Sequence, residues 1–457
     1  LSKLTGDGMG STDSSRTLAV PKKSLFPWPA KILGPRPGLI EINLVCWGLF
    51  TGFVVVPLLY PLWLHLRAGE GWGYLLPCDF IYFYAVGRIA HEYPLTRLYE
   101  YGLILKTTDE IFPLKGWIWG PSPYPPFVAL FFNLFARIPF LPAYILWMTT
   151  SVALYLGGIA SAMRGAFPKE PLKSSLVYCI ALGFYPFFIC DLKNGQLSAV
   201  AVFATGLAIA QERANRPFLS GLALAILCYK PTLLFLLLPM LFITRRFRTL
   251  WGFVTGGAVL LALTTAIGGI EIWKIYFLHA LGFLHGFIEV QGQSTLQLWE
   301  YVDFHTFSYA VPGGRTTVGL AIIASVSVIA GAVLAVLLWR SVKAGKPAQQ
   351  LVWAATVTWT LLLNFYVPVW DSILVTIAVA LTLRALSNLG WHTAARWILL
   401  LATLVFAVTW NLVAGDHHHG NQLMMALIFV LGSSQLVLLH WASSFRPPCT
   451  ETEVVSV

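Results

Sequence analysis

From residue 40 almost to the C-terminus the chain repeats one pattern, a long apolar run followed by a short polar interval carrying Lys or Arg. A run of about 18 residues or more, wound as a helix, spans the ~30 Å hydrocarbon core of a bilayer. Lipid offers no partner to a backbone N–H or C=O, so only helices and closed barrels cross it. The runs here are continuous and lack the alternation of barrel strands. The pattern therefore predicts an all-α, polytopic transmembrane helical bundle of about twelve spans, with long outer loops that carry amphipathic helices.

Basic clusters mark the cytoplasmic side. Residues 1–38, with Lys3, Arg16, Lys22, Lys23, Lys31 and Arg36, are expected to be a cytoplasmic tail without a cleavable signal peptide. Residues 39–442 then form one transmembrane domain, and residues 443–457 a second cytoplasmic tail. A first span near 40–64 would lead to an outer loop over 67–123, whose length and aromatic content predict ordered structure on the membrane surface. The apolar stretch 124–163 is broken by Pro125, Pro126, Pro139 and Pro142, which predicts a short or re-entrant helix and then a full span. Runs at 176–190 and 197–210 flank a polar turn at 191–196. The stretch 218–244 must begin and end on the cytoplasmic side but is too short for two full spans, which predicts two short helices meeting at Lys230. Spans near 251–270, 318–339, 351–369, 373–384, 397–413 and 423–440 follow, with a second outer loop over 271–312. This threading puts Asp79, Lys193, Asn194, Gln196, Asp371 and the run His417, His418, His419 on one outer side.

Composition narrows the class further. The 457 residues are 57% hydrophobic and only 11% charged, with a mean hydropathy of +0.72. Soluble domains carry about 25% charged residues, so this chain cannot coat a water-facing globule. The formal charge of +10 is scattered in short clusters between apolar runs, which writes membrane topology and argues against nucleic acid as a partner. The six cysteines are dispersed without a CxxC spacing and read as core filler, so neither a disulfide framework nor a zinc site is expected.

The candidate chemistry lies where ionisable residues meet the membrane, since such residues are costly there and usually functional. The stretch 77–100, PCDFIYFYAVGRIAHEYPLTRLYE, gathers Asp79, Tyr84, Arg88, His91 and Arg97. Lys230 sits between apolar stretches, Lys193 in a turn, and Asp371 after a Pro-Val-Trp break. A carboxylate suits proton abstraction from a hydroxyl, and Lys or Arg suits the charge on a leaving phosphate. Plainer roles stand beside these: Asp79 or Asp371 as a helix cap, and Arg88, His91 and Arg97 as solvated partners of Glu92 or Glu100. Three consecutive histidines cannot all face one ion, so His417–419 read as a solvated loop. No nucleotide-binding motif occurs.

Five groups of residues, in order, resemble glycosyltransferase family 87, the polyprenyl-phosphate-mannose-dependent α-mannosyltransferases of the GT-C class. They are Asp79-Phe80 with Tyr84-Ala85 and Leu98-Tyr99-Glu100; Tyr124-Pro125-Pro126 with Leu141-Pro142 and Trp147; Asn194-Gly195-Gln196; Tyr229-Lys230-Pro231 with Leu238-Pro239 and Arg245-Arg246; and Tyr366 to Asp371. Trp370 stands where the family has Tyr, and Glu100 where it has Asp. The resemblance implies an inverting transfer from a polyprenyl-phosphate sugar to a lipid or glycan acceptor on the non-cytoplasmic face of a bacterial inner or plasma membrane. It implies no metal and no cofactor beyond the lipid-linked donor. Asp79 would be the general base, with Lys230, Arg88, His91 and Lys193 on the donor phosphate. Tyr84, Tyr124, Asn194, Gln196, Tyr366 and Asp371 would line the sugar or acceptor site. The alternatives are another lipid-linked glycan enzyme, a ligase or a transferase of a different sugar, and a secondary transporter.

Overall fold

The computed structural model describes residues 78–112, 122–164, 177–178, 181–285, 289–290, 293–294, 301–310, 313–314, 316–344, 346–364, 367–415 and 420–444. The expected N-terminal tail, the expected first span, Tyr366, His417–419 and the expected C-terminal tail beyond Ser444 lie outside the described residues; the first two residues of that tail, 443 and 444, end the last helix.

The first long loop is helical where it is described. α1 (Cys78–Glu92) opens with Asp79 in its first turn and closes with His91 in its last, the charge order that a helix dipole favours. Pro94 precedes a single 3-10 turn (Leu95–Arg97), and α2 (Tyr101–Ile111) follows. The expected short helix and full span are α3 (Pro126–Ala136) and α4 (Phe140–Met163), each started by a proline. The expected polar turn at 191–196 is smaller than its sequence suggests. Residues Pro186–Lys193 wind as a π-helix, which draws Asp191 inside and leaves only Asn194, Gly195 and Gln196 as the turn.

α5 (Ser198–Arg213) leads to the two short helices expected around Lys230. α6 (Pro217–Ala225) runs into a 3-10 turn (Ile226–Tyr229), and a second one (Pro231–Leu234) precedes α7 (Leu237–Ile243). Lys230 between them has φ −140° and ψ 82°. Pro231 explains this, because the residue before a proline is pushed out of the helical region. α8 (Phe247–Gly268) is followed in the second long loop by α9 (Glu271–His285), a two-residue antiparallel pair, β1 (Glu289–Val290) with β2 (Gln293–Ser294), and α10 (Phe304–Ala310). The chain continues through α11 (Thr317–Arg340), α12 (Lys346–Leu362), a 3-10 helix (Val369–Leu374), α13 (Val375–Asn388), α14 (His392–Gly415) and α15 (Gly420–Ser444).

Five helices among the described residues are long and apolar enough to cross a membrane, and four shorter apolar helices accompany them. The expected count of about twelve crossings is not established by these residues. Burial sorts the five in a way that hydropathy does not. In the 18-residue apolar stretch of each, 89% of the residues are buried in Val369–Asn388, against 11% in Phe247–Gly268 and 17% in Thr317–Lys343. The first is the centre of the bundle, packed between α4, α12 and α14. The other two turn apolar faces outward, as lipid-facing helices do. Helices approach closely where glycine permits. A Cβ on Gly206 would fall 2.2 Å from the Gly158 carbonyl oxygen, and one on Gly221 would fall 2.0 Å from that of Thr249, so α4–α5 and α6–α8 meet backbone to backbone.

Candidate active site

Four segments distant in sequence meet at one end of the bundle. They are the start of α1, the turn Asn194–Gly195–Gln196, the break at Lys230, and the 3-10 helix Val369–Leu374. The turn is the hub. Its Asn194 carbonyl accepts the Phe80 N–H at 2.7 Å, and its Gly195 carbonyl accepts Trp147 Nε1–H at 2.9 Å. Tyr144 O–H donates to the Lys193 carbonyl at 2.6 Å. Gly195 has φ +87°, and a Cβ there would fall 2.5 Å from Phe80 Cβ. Both the backbone conformation and the space require glycine. Gly195→Ala is therefore expected to destabilise the protein by on the order of 2 kcal/mol or more and to lower activity, as thermal unfolding in detergent and a transfer assay would show.

Asp79 keeps some exposed surface, yet the protein crowds its carboxyl. Burial raises its pKa from 3.8 to about 7, against the opposing pull of a hydrogen bond with the Gln196 side chain and the positive charge of Lys193. Gln196 is itself buried, and Tyr124 O–H reaches its Oε1 at 3.5 Å. Tyr124 lies nearly parallel to Tyr229 with ring centroids 6.5 Å apart, and its carbonyl accepts Tyr99 O–H at 2.8 Å.

Across the site, Asp371 is 1% exposed and Lys230 is 7% exposed. The Lys230 ammonium is ion-paired with Asp371 Oδ2, and Ser198 O–H donates to Oδ1 at 2.9 Å. Lys230 Nζ also lies 5.8 Å from the Trp370 ring centroid, so Trp370 adds an attractive ring face. Asp191, fully buried, accepts the Ala199 N–H at 3.0 Å and so caps α5. Burial, with the like charges of Asp371 and Asp79 nearby, holds its carboxyl well above the usual range. The sequence reading missed Asp191, Ser198 and Tyr229 as parts of the site. A serine opening an apolar helix carries no distinctive signal, and Asp191 looked like one more residue of a solvated turn.

Other candidates stand apart. Tyr84 O–H is engaged by the Ile138 carbonyl at 2.7 Å, in the α3–α4 connection. Arg88 and His91 follow Asp79 along α1, roughly 14 and 18 Å away at the helical rise. Arg88 pairs with Glu92 at 2.6 Å and with Glu110 at 3.2 Å, and His91 is exposed. Arg97 pairs with Glu100 at 2.7 Å. Arg88→Ala is thus expected to change stability by no more than about 0.5 kcal/mol and to keep most transfer activity, measured side by side with the wild type.

One end of an apolar bundle thus holds two polar groupings, Asp79 with Gln196 and Lys193, and the buried Lys230–Asp371 pair. The model of glycosyltransferase family 87 matches residues 123–367, more than half of the chain. The chain belongs to that family and is a membrane glycosyltransferase. The match takes in Tyr124, the Asn194–Gln196 turn and Lys230, while Asp79 and Asp371 lie outside it. No curated protein and no solved structure matches the chain.

Proposed function

We propose that the chain is a GT-C type transferase that moves mannose, with inversion, from a polyprenyl-phosphate donor to a lipid or glycan acceptor on the non-cytoplasmic face. The observation that carries this reading is the Asp79 carboxyl, poised near neutral pH by burial and held by Gln196 beside Lys193. Asp79 takes the proton of the acceptor hydroxyl as its oxygen attacks the anomeric carbon. The bond from that carbon to the phosphate oxygen breaks, and its electrons leave with the polyprenyl phosphate. Lys230 and Lys193 offset the charge gained by the phosphate. Asn194 Oδ1 is buried without a hydrogen-bond partner among the described residues, which suits it to a sugar hydroxyl. Tyr124, beside Gln196 and Tyr229, and Asp371, beside Lys230 and Ser198, are assigned to the sugar or acceptor, and Tyr366 belongs to the sequence segment leading to Asp371.

Incubating the purified protein with labelled polyprenyl-phosphate mannose and native lipid extract tests the reading. The expected product is an α-mannoside, formed faster as pH rises through about 7, because Asp79 must lose its proton to act as a base. Transfer from a nucleotide sugar, with none from the lipid-linked donor, would overturn it.

A further inference from the structure

Asp303 lies in the second long loop, over 271–312. In the structure it is 1% exposed, and both of its carboxylate oxygens accept backbone N–H groups from different segments. Oδ1 accepts from Thr306 at 2.7 Å, which caps α10, and Oδ2 accepts from Val367 at 3.0 Å. The two segments are stitched further: Val302 N–H donates to the Val367 carbonyl at 3.0 Å, and Tyr301 pairs with Pro368 as an isolated antiparallel bridge. From Val367 the path to Asp371 is short and stiff. Pro368 is fixed by its ring, and Asp371 N–H returns to the Pro368 carbonyl at 3.0 Å. The same stretch reaches the Lys230 break from another side, where Asn364 Nδ2–H donates to the Thr232 carbonyl at 2.7 Å.

We propose that Asp303 is a positioning residue: by gripping Val367 it fixes where Asp371, and with it Lys230, stands in the site. The second long loop then does more than cover the bundle. It sets the geometry of the carboxylate–ammonium pair from a distance, without touching a reacting atom. The catalytic consequence rests on the transferase reading above, whereas the positional one does not.

Two substitutions separate the clamp from the helix cap. Asn and Ser both cap helices well, so Asp303→Asn and Asp303→Ser retain the contact to Thr306. Neither supplies a second carboxylate oxygen to Val367, and where one variant fails to fold the other serves. The full-length protein in detergent is treated with acetic anhydride, and acylation of Lys230 is read by mass spectrometry beside the melting temperature. Lys230 acylation is expected to rise about fivefold in protein that remains folded, since an unanchored Asp371 covers the amine less well, while the Val367 N–H left without its acceptor lowers the melting temperature by a few degrees. With polyprenyl-phosphate mannose and native lipid extract, kcat is expected to fall about tenfold, more than KM changes. Combining Asp303→Asn with Ser198→Ala, which removes a direct hydrogen bond to Asp371, is expected to cost less than the product of the single effects. Unchanged Lys230 acylation in a folded variant, or fully multiplicative losses, would overturn the proposal. If the wild type transfers nothing from this donor, the donor assignment fails, while Lys230 acylation still decides the role of Asp303.

Discussion

Asp79→Asn is expected to lower sugar transfer by about a thousandfold while leaving a folded protein that still binds donor. The size follows from general-base catalysis, which contributes roughly 10²–10⁴ to the rate. An amide keeps the shape of the side chain and its contact with Gln196 but cannot accept the proton. The same variant is expected to be more stable than the wild type above neutral pH. The carboxyl has its pKa raised from 3.8 to about 7 in the folded protein. Between those values the folded state holds a proton that the unfolded chain has released, so stability from this group is full below about pH 4 and falls as pH rises through 7. Removing the carboxylate recovers up to ~4 kcal/mol at high pH and almost nothing at low pH. Melting curves of both proteins near pH 4 and pH 8 test this directly, since an equal shift at both values would mean that Asp79 does not titrate as its surroundings dictate. Such a trade of stability for a poised base is common at catalytic centres.

The second large effect concerns Lys230 and Asp371. The pair is buried, 9% and 1% exposed at its side chains, and deleting one member strands a charge in a poorly solvated place. Lys230→Ala alone is expected to cost about 3–5 kcal/mol of stability and to abolish turnover. The double variant Lys230→Met with Asp371→Asn strands no charge, and Ser198 still has an oxygen to donate to. It is expected to melt within a few degrees of the wild type, because a buried pair is often no more stabilising than its neutral replacement. Transfer should nevertheless stay lost, since no ammonium remains to offset the charge on the leaving phosphate. A double variant that turns over like the wild type would reduce Lys230 to a structural role. One that stays unfolded would mean that the charged pair itself holds the break between α6 and α7.

Much of the architecture is legible because bilayers and prolines impose simple rules. Continuous apolar runs dictate helices in lipid whatever they pack against. Pro231 alone forces Lys230 out of helical geometry, so the broken helix can be read locally. The short α3 before the long α4 follows in the same way from Pro126 and Pro139. Asp79, Asn194, Gln196, Lys230 and Asp371 stand out in sequence because polar residues at the edges of apolar runs are conspicuous. Their convergence is visible only in the folded bundle.

What the chain alone determined, then, is its class: a helical membrane protein, broken at defined prolines, with a few exposed choices for chemistry. Tertiary structure decided which of those choices share a site. Arg88 and His91 lie in the same short stretch as Asp79, but the rise of α1 carries them away to pair with Glu92 and Glu110 or to face solvent. Asp191 and Asp303 looked like loop residues and are buried, because one lies in a π-turn and the other bridges two segments. Hydropathy gave α13 and α8 similar status, yet one is the core and the other leaves most of its residues outside the packed interior. Apolar side chains satisfy lipid and protein interior alike, so composition cannot tell those surroundings apart. Only packing and the pairing of buried polar groups do so, and both depend on contacts between residues far apart in the chain.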